Sequence, residues 1–226
     1  NIVATAVATP TTGWLAARFG QRRVMIFGVI GFIVSTTACG AATGLVELVI
    51  YRVVQGATGA PLVPLAQAIV LASFPREKHG FATAVYGMGV VLGPLFAPTI
   101  GGYLSEAYSW RWVFWMVVPV GGLCLVGVLL FIKDQRGGQR PRLDWTGFIA
   151  LSVAIACFQL MLDRGERNDW FESVETQIEA ALVIAAIYVF IVHSLTAKNP
   201  FLNPAMLKDR NYSVGLLITL VFGMLN

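Results

Sequence analysis

The chain has 226 residues, of which 57% are hydrophobic and only 12% are charged. That charged share is about half that of an average soluble domain, and the mean hydropathy is +0.72. So few charges cannot coat a water-soluble globule, which excludes a soluble enzyme domain, a disordered tail and a secreted module built on disulfides. The composition predicts an integral membrane protein that crosses the bilayer several times.

The formal net charge of +4 could suggest a nucleic-acid partner. In a membrane protein, however, basic residues gather on cytoplasmic loops and set the orientation, so we expect a lipid bilayer and no nucleic acid. The three cysteines lie in apolar runs without metal-ligand spacing, and the two histidines are far apart in the sequence. The pattern favours neither a metal site nor a nucleophile–base pair, so we expect no metal, no cofactor and no enzyme.

Charges punctuate the sequence and divide it into membrane spans. A helix needs about 20 apolar residues to cross about 30 Å of hydrocarbon. The charge-free runs predict six complete spanning helices with a partial helix at each end: 1–17, 24–46, 53–75, 80–105, 112–132, 145–162, 180–197 and 211–226. The helix of run 53–75 is expected to start earlier, near Leu48, and to include Arg52. Because the chain opens on Asn1 and both ends lie in apolar sequence, we expect a fragment of a longer protein, truncated at both ends.

The connections between these runs alternate in charge. Four of them hold twelve of the sixteen Lys and Arg residues, and the other three hold seven of the twelve Asp and Glu residues. By the positive-inside rule, the basic connections face the cytoplasm. The regular alternation supports the predicted number of helices.

Arg52 is the most informative single residue. It interrupts an apolar run, and an arginine at membrane depth costs several kcal/mol unless it faces a cavity, a partner or the interface. It lies close enough to the outer end of the helix to snorkel. Gln55, Gly56 and Gly59 share its helical face, and Gln67 follows on the same predicted helix. We therefore favour an arginine that faces a polar cavity lined by these residues.

The next predicted span is rich in glycine and proline. Small residues recur every fourth position, a spacing that allows another helix to approach closely. The stripe is formed by Gly89, Gly93, Ala97 and Gly101. Pro94 and Pro98 lie in the same helix and are expected to bend it. Such a helix can serve as a hinge or a seal.

Two further features are candidates for function. The short basic connection 13–23 places Gly13 and Gly20 around Arg18, which suggests a tight turn with a fixed charge. Its simplest interpretation is a signal for membrane orientation. Glu179 enters the penultimate helix near its outer end, where it is either interfacial or a protonatable group that faces the bundle.

Three of these patterns, in this order, resemble signatures of the major facilitator superfamily. The loop signature is matched by Gly13, Arg18, Gly20, Arg22 and Arg23, and the fourth-helix arginine motif by Arg52, Gln55, Gly56 and Gly59. The fifth-helix motif of proton-driven antiporters is matched by Gly93, Pro94, Ala97, Pro98, Gly101 and Gly102. Trp110-Arg111-Trp112-x-Phe114 follows in the expected place. Asp144-Trp145-x-Gly147 and the later segments 159–165 and 169–171 resemble the EmrB/QacA branch of fourteen-helix drug:proton antiporters. The resemblance covers essentially the whole chain.

The resemblance implies a helical bundle in four parts. These are a six-helix half without its first helix (1–132), a cytoplasmic basic linker (133–143), two extra helices (144–197), and a cytoplasmic segment with the start of the second half (198–226). It also implies export of amphiphilic or cationic compounds, driven by the proton motive force, across the bacterial inner membrane. Arg52 and Gln55 would then assist proton coupling, the Gly/Pro helix would close the leak path, and the loop 13–23 would latch the cytoplasmic side.

Departures from the family pattern leave alternatives open. Ala17 stands where the loop signature usually has an acid, and Ala97 stands where the antiporter motif usually has glycine. A narrow-substrate transporter of the same superfamily, either a metabolite exporter or a nutrient carrier, remains an alternative. So does a non-transporting scaffold or receptor with this fold. A periplasmic adaptor protein is a further possible partner.

Overall fold

The computed structural model describes residues 1–132, 143–168, 170–197, 200–202 and 204–225. Their regular structure is entirely helical, which confirms the all-α prediction. Short 3₁₀ turns occur at Arg76–Lys78, Glu166–Asn168, Trp170–Glu172 and Pro204–Lys208. The α-helices of these residues are α1 (Ile2–Ala8), α2 (Thr11–Phe19), α3 (Gln21–Ala41), α4 (Leu45–Gly59), α5 (Leu62–Ser73), α6 (His79–Ala107), α7 (Trp112–Trp115), α8 (Val117–Phe131), α9 (Trp145–Arg164), α10 (Val174–Thr196) and α11 (Arg210–Leu225).

Six helical stretches in the described part of the chain are long and apolar enough to cross a membrane. This is the number predicted for complete spans. They are Gln21–Ala41, Leu45–Ser73, Arg76–Ala107, Trp112–Phe131, Trp145–Arg164 and Val174–Thr196. The main difference lies at the boundaries. The last span begins at Val174 rather than at residue 180, because the helix runs through two charged positions that the charge-free runs excluded.

Prolines break two of the predicted helices. A proline has no N–H to donate to the preceding turn, so it interrupts a helix unless it lies in the first turn. α1 ends before Pro10, and α4 gives way to α5 at Ala60 and Pro61. Gln67 therefore lies on the same span as Arg52, Leu45–Ser73, but beyond the interruption at Ala60 and Pro61. In contrast, Pro94 and Pro98 lie inside α6, which is continuous over 29 residues.

The described chain divides into two compact units, Asn1–Pro141 and Arg142–Asn226. In the first unit α3 is central and packs against α2, α4, α5, α7 and α8. Its core consists of Val24, Met25 and Val29 from α3, with Leu65 from α5 and Val128 from α8. In lipid, such contacts stabilise through close packing rather than through removal from water.

Glycines allow α3 and α4 to approach each other closely. A Cβ atom at Gly31 would lie 2.6 Å from the Cγ2 atom of Thr58, well inside van der Waals contact. Gly59 approaches Phe32 from the opposite side, where a Cβ atom would lie 3.0 Å from the ring. This close contact brings polar side chains of the two helices within hydrogen-bond distance.

The second unit is built on the antiparallel pair α9 and α10. Asp144 caps the N-terminus of α9, and its side chain accepts a hydrogen bond from the backbone N–H of Gly147 at 3.1 Å. At the other end of the pair, Arg164 and Glu175 form an exposed ion pair at 2.6 Å. The 3₁₀ turn Pro204–Lys208 precedes α11. The predicted linker 133–143 lies almost entirely outside the described residues.

Candidate functional site

The backbone of Arg52 lies about 10 Å along the helix axis from the start of α4, within the first unit. Its Nη1 atom donates a hydrogen bond to Oε1 of Gln55 at 3.2 Å. Its Cζ atom lies 4.5 Å from the centroid of the Phe114 ring. The charge is therefore held by a neutral amide on one side and by an aromatic face on the other.

Gln55 is the centre of the polar cluster. Its side chain is only 4% exposed, and its Nε2 atom donates a hydrogen bond to Oγ1 of Thr36 at 2.7 Å. Its Oε1 atom accepts from Arg52 and also from Nδ2 of Asn1, at 3.1 Å. Both ends of the amide are thus occupied. Because a buried amide without partners is costly, this pairing fixes the orientation of the side chain.

Thr36 completes the cluster on α3. It is 1% exposed, and its hydroxyl donates to the backbone oxygen of Phe32 at 2.6 Å. The hydroxyl therefore accepts from Gln55 while it donates within its own helix. The cluster joins three helical segments through Asn1, Thr36, Arg52 and Gln55.

Gly56 allows α1 to contact α4 beside this cluster. A Cβ atom at Gly56 would lie 2.5 Å from the backbone oxygen of Asn1 and 3.0 Å from the Cβ atom of Ala4. The hydroxyl of Thr5 also donates to the backbone oxygen of Gly56, at 3.2 Å. A larger residue would have to push α1 away.

The charge of Arg52 has no acidic counterpart in the described part of the chain. The ion pairs found there join Arg164 to Glu175 and His193 to Asp144, and neither includes Arg52. Its hydrogen-bond and ring partners, Gln55 and Phe114, are neutral. Among the described residues, the cluster therefore presents a positive charge without an acidic partner inside a membrane span. Such a charge attracts an ionised carboxylate or another anion.

The structure brings some of the predicted cavity residues together and not others. Arg52, Gln55 and Gly56 form one cluster, and Gly59 lies on the same helix against Phe32. Gln67 is exposed on α5. Glu179 belongs to the second unit, where it is 8% exposed and its Oε2 atom has no hydrogen-bond partner among the described residues.

Two members of the small-residue stripe of α6, Gly89 and Gly93, are not covered by any described residue. A Cβ atom at either position would meet no atom within 4 Å. Gly101 is buried, and a Cβ atom there would lie 3.8 Å from Val113. The intervening Pro94, Ala97 and Pro98 are exposed. This face is therefore available to a helix from outside the described part of the chain.

The basic connection between α2 and α3 is held by several specific contacts. Gly20 adopts a positive φ of 89°, a conformation that glycine tolerates at low cost. Arg18 lies over the rings of Trp14 and Phe19, at 5.3 Å and 5.7 Å from their centroids. Gly13 has open space around it.

The two neighbouring arginines at the start of α3 differ sharply. Arg22 donates from Nη2 to the backbone oxygen of Leu129 at 3.0 Å, near the C-terminus of α8, where unpaired carbonyl groups attract a cation. Arg23 is exposed. Arg22 therefore ties the start of α3 to the end of α8.

A second polar cluster in the described chain surrounds Asp144. Besides capping α9, this carboxylate accepts from Nε2 of His193 at 2.8 Å and from the backbone N–H of Phe201 at 3.0 Å. Burial raises the pKa of Asp144, but the hydrogen bonds from Gly147, His193 and Phe201 outweigh that effect and hold its pKa below the usual value. The cluster joins the start of α9, the end of α10 and the segment that leads to α11.

Sequence reasoning missed Thr36, Phe114 and the pairing of Asp144 with His193. The run Ser35-Thr36-Thr37 inside an apolar helix was a usable signal for Thr36, because buried hydroxyls seek partners. Arg52 and Phe114 are 62 residues apart in the sequence, and Asp144 and His193 are 49 residues apart. No local spacing rule connects residues so far apart.

Comparison with known proteins finds relatives that match almost the whole of this chain. "Multidrug export protein EmrB" of Haemophilus influenzae is 38% identical over 219 residues, which cover 96% of this chain and 43% of that protein. The protein of the same name from Escherichia coli K12 is 37% identical over 219 residues, covering 95% and 42%. "Fatty acid resistance protein FarB" of Neisseria gonorrhoeae is 35% identical over 218 residues, covering 96% and 43%.

The chain thus spans about 43% of the length of these curated relatives. The resemblance to the EmrB branch that the motifs indicate is confirmed by these relatives. The family model described as "Major Facilitator Superfamily" matches residues 1–226, the whole of the sequence. The chain therefore belongs to the Major Facilitator Superfamily.

Proposed function

We propose that the protein to which this chain belongs exports amphiphilic drug-like compounds through the bacterial inner membrane in exchange for protons. The observation that carries the proposal is the charge of Arg52, which has no acidic partner among the described residues and is held by Gln55 and Phe114 inside a membrane span. The names of the relatives, which include multidrug export proteins, support the class of substrate.

The role of Arg52 follows from its chemistry. A guanidinium group does not release its proton in a protein, so Arg52 is not itself the proton carrier. Its positive charge instead favours the ionised form of a nearby carboxyl group and promotes proton release from it. Gln55 keeps the guanidinium in place because its amide is fixed by Thr36. The carboxyl group that carries the proton is supplied by another part of the parent protein.

The remaining motifs fit alternating access between two halves of a transporter. The uncovered part of the α6 stripe, with Gly89 and Gly93, allows close contact with a helix of the other half. The bond from Arg22 to Leu129 stiffens the predicted cytoplasmic end of the first unit. The proton motive force supplies the energy, and an adaptor protein in the periplasm is a further proposed partner.

The decisive experiment uses the full-length parent protein in inverted membrane vesicles with a preset pH gradient. Addition of a cationic dye should dissipate part of the gradient in the wild type, and Arg52→Gln should abolish that response. Arg167→Gln is the matched control, because Arg167 lies exposed in the 3₁₀ turn after α9 and should be dispensable. A folded wild-type protein without dye-dependent proton flux would contradict the proposal.

An anionic class of substrate is the second candidate. One relative carries the name of a fatty acid resistance protein, and Arg52 offers a positive charge without an acidic partner in the described residues. A long-chain fatty acid could place its carboxylate near that charge. The same vesicles distinguish the two classes, because dissipation of the gradient by a fatty acid in excess of its own passive flux, lost in Arg52→Gln, would favour the anionic class.

A further inference from the structure

The segment between α6 and α8 is anchored to the end of α3 at two points. The Nη2 atom of Arg111 donates to the backbone oxygen of Ala42 at 3.0 Å. Trp115 packs so closely on Gly40 that a Cβ atom there would overlap the indole ring. Between these two anchors, α7 lies at the end of the bundle that is predicted to face outward. The segment is therefore positioned by α3 and not merely by its own helix.

This placement directs Phe114 toward Arg52. Phe114 is 8% exposed, and its ring lies beneath the guanidinium, with 4.5 Å between the ring centroid and the Cζ atom. Trp110 contacts the same ring edge-to-face at a centroid distance of 6.0 Å. The aromatic ring is thus held by α3, through the two anchors, and by Trp110.

We propose that Phe114 is a positioning residue of Arg52 beside Gln55, and this proposal rests on the coupling role proposed for that arginine. An acidic partner would position the guanidinium but would also neutralise its field. An aromatic face attracts the cation without carrying a net charge. Phe114 therefore fixes Arg52 while leaving its full charge available to the carboxyl group or substrate that it acts on. It also holds Arg52 in place whether or not that carboxyl group is protonated.

The proposal gives the motif Trp110-Arg111-Trp112-x-Phe114 a physical role. Arg111 and Trp115 fix the segment, Trp110 steadies the ring, and Phe114 receives the charge. Loss of a desolvated cation–π contact corresponds to a change of about ten- to thirty-fold in an equilibrium constant. The effect should therefore be visible in coupling.

The test replaces Phe114 by mono-, di- and trifluorophenylalanine in the full-length parent protein, reconstituted in proteoliposomes. Fluorine withdraws electron density from the ring at nearly constant volume. We expect the drug-dependent proton flux to fall stepwise with each fluorine, about ten-fold in total. The same fluorinated phenylalanines in place of Phe131, which is 82% exposed on α8, should leave the flux unchanged. A flux that is insensitive to fluorination at position 114 but lost in Phe114→Leu would overturn the proposal in favour of a purely structural role.

A second measurement does not depend on transport. Melting temperatures of the purified parent protein, with Arg52→Gln, Phe114→Leu and the double variant, form a double-mutant cycle. We expect the double variant to lose less than the sum of the single losses. If the loss in melting temperature of the double variant equals the sum of the two single losses, the proposed interaction between Phe114 and Arg52 is overturned. If the wild type shows no drug-dependent proton flux, the proposed function fails, whereas this cycle still decides whether Phe114 holds Arg52.

Discussion

The carboxylate of Asp144 accepts a hydrogen bond from His193 at 2.8 Å, across the ends of two antiparallel helices. The same carboxylate caps α9 through Gly147 and accepts from the backbone N–H of Phe201. Phe201 also packs against Phe148 of α9, with a centroid distance of 5.9 Å. One acidic side chain therefore organises the predicted cytoplasmic end of the second unit.

Replacement of Asp144 should destabilise this unit. In Asp144→Ala the N-cap is lost, which by itself costs about 0.5–2 kcal/mol, and His193 and the Phe201 N–H lose their acceptor. We expect a lower melting temperature of the parent protein and faster proteolysis near residues 143–147. Asp163→Ala is the matched control, since Asp163 lies exposed at the other end of α9. Equal behaviour of the two variants would show that the cluster adds no stability.

The contribution of Asp144 should also depend on pH, with a defined sign. Its pKa is lower in the folded protein than the usual value of 3.8. Its stabilising effect is therefore complete above the unfolded-state pKa and is lost as the pH falls through the lowered folded-state pKa. Denaturation of the wild type and of Asp144→Asn should give a difference in stability that shrinks as the pH falls below about pH 4. A difference that grows below about pH 4 would contradict this assignment.

Thr36→Val tests the support of Gln55. Valine matches threonine in shape but cannot accept the hydrogen bond from Nε2 of Gln55, so a buried amide group loses its partner at a cost of about 1–3 kcal/mol. We expect reduced stability and weaker proton coupling. Thr37→Val is the control, because the exposed Thr37 bonds only to Ile33 within its own helix. A neutral Thr36→Val variant would show that the amide does not depend on this hydroxyl.

Gly56→Ala tests the contact of α1 with α4. The added methyl group would meet Asn1 and Ala4, and overpacking of this kind costs about 1–3 kcal/mol. The same change at Gly122 of α8, where a Cβ atom meets nothing within 4 Å, should be neutral or stabilising. Melting temperatures of the two variants in one detergent check the difference. Comparable effects at both positions would remove the argument for close packing at Gly56.

Arg22→Ala and Arg23→Ala separate a specific contact from a general charge. Both remove one positive charge from the same connection, but only Arg22 bonds to the backbone oxygen of Leu129. We expect Arg22→Ala to loosen the ends of α3 and α8. The measurement is cross-linking between cysteines introduced at Gln21 and Phe131, for which Arg23→Ala serves as the reference. Equal cross-linking rates in Arg22→Ala and Arg23→Ala would mean that the bond to Leu129 does not hold the ends of α3 and α8 together.

The six spans could be predicted from the sequence because a charge in lipid is costly, so most charged residues lie near the ends of helices. The break at Pro61 was within reach of the same reasoning, since proline cannot donate to the preceding turn. The two partners of Arg52 differ in this respect. Gln55 lies one turn away and follows from helical spacing, whereas Phe114 reaches Arg52 only because Arg111 and Trp115 anchor α7 to α3. Contacts of that kind are set by the tertiary fold.

Substitutions in the uncovered part of the α6 stripe can also report how closely another segment of the parent protein approaches this helix. Nothing in the described residues lies close to Gly89 or Gly93, so a bulky substituent at these positions has no neighbour among those residues to displace. Any loss of transport that such a substituent causes in the parent protein measures the approach of another segment. A series of side chains of increasing size, scanned along this face, would thus give the width of the gap at each level of the membrane.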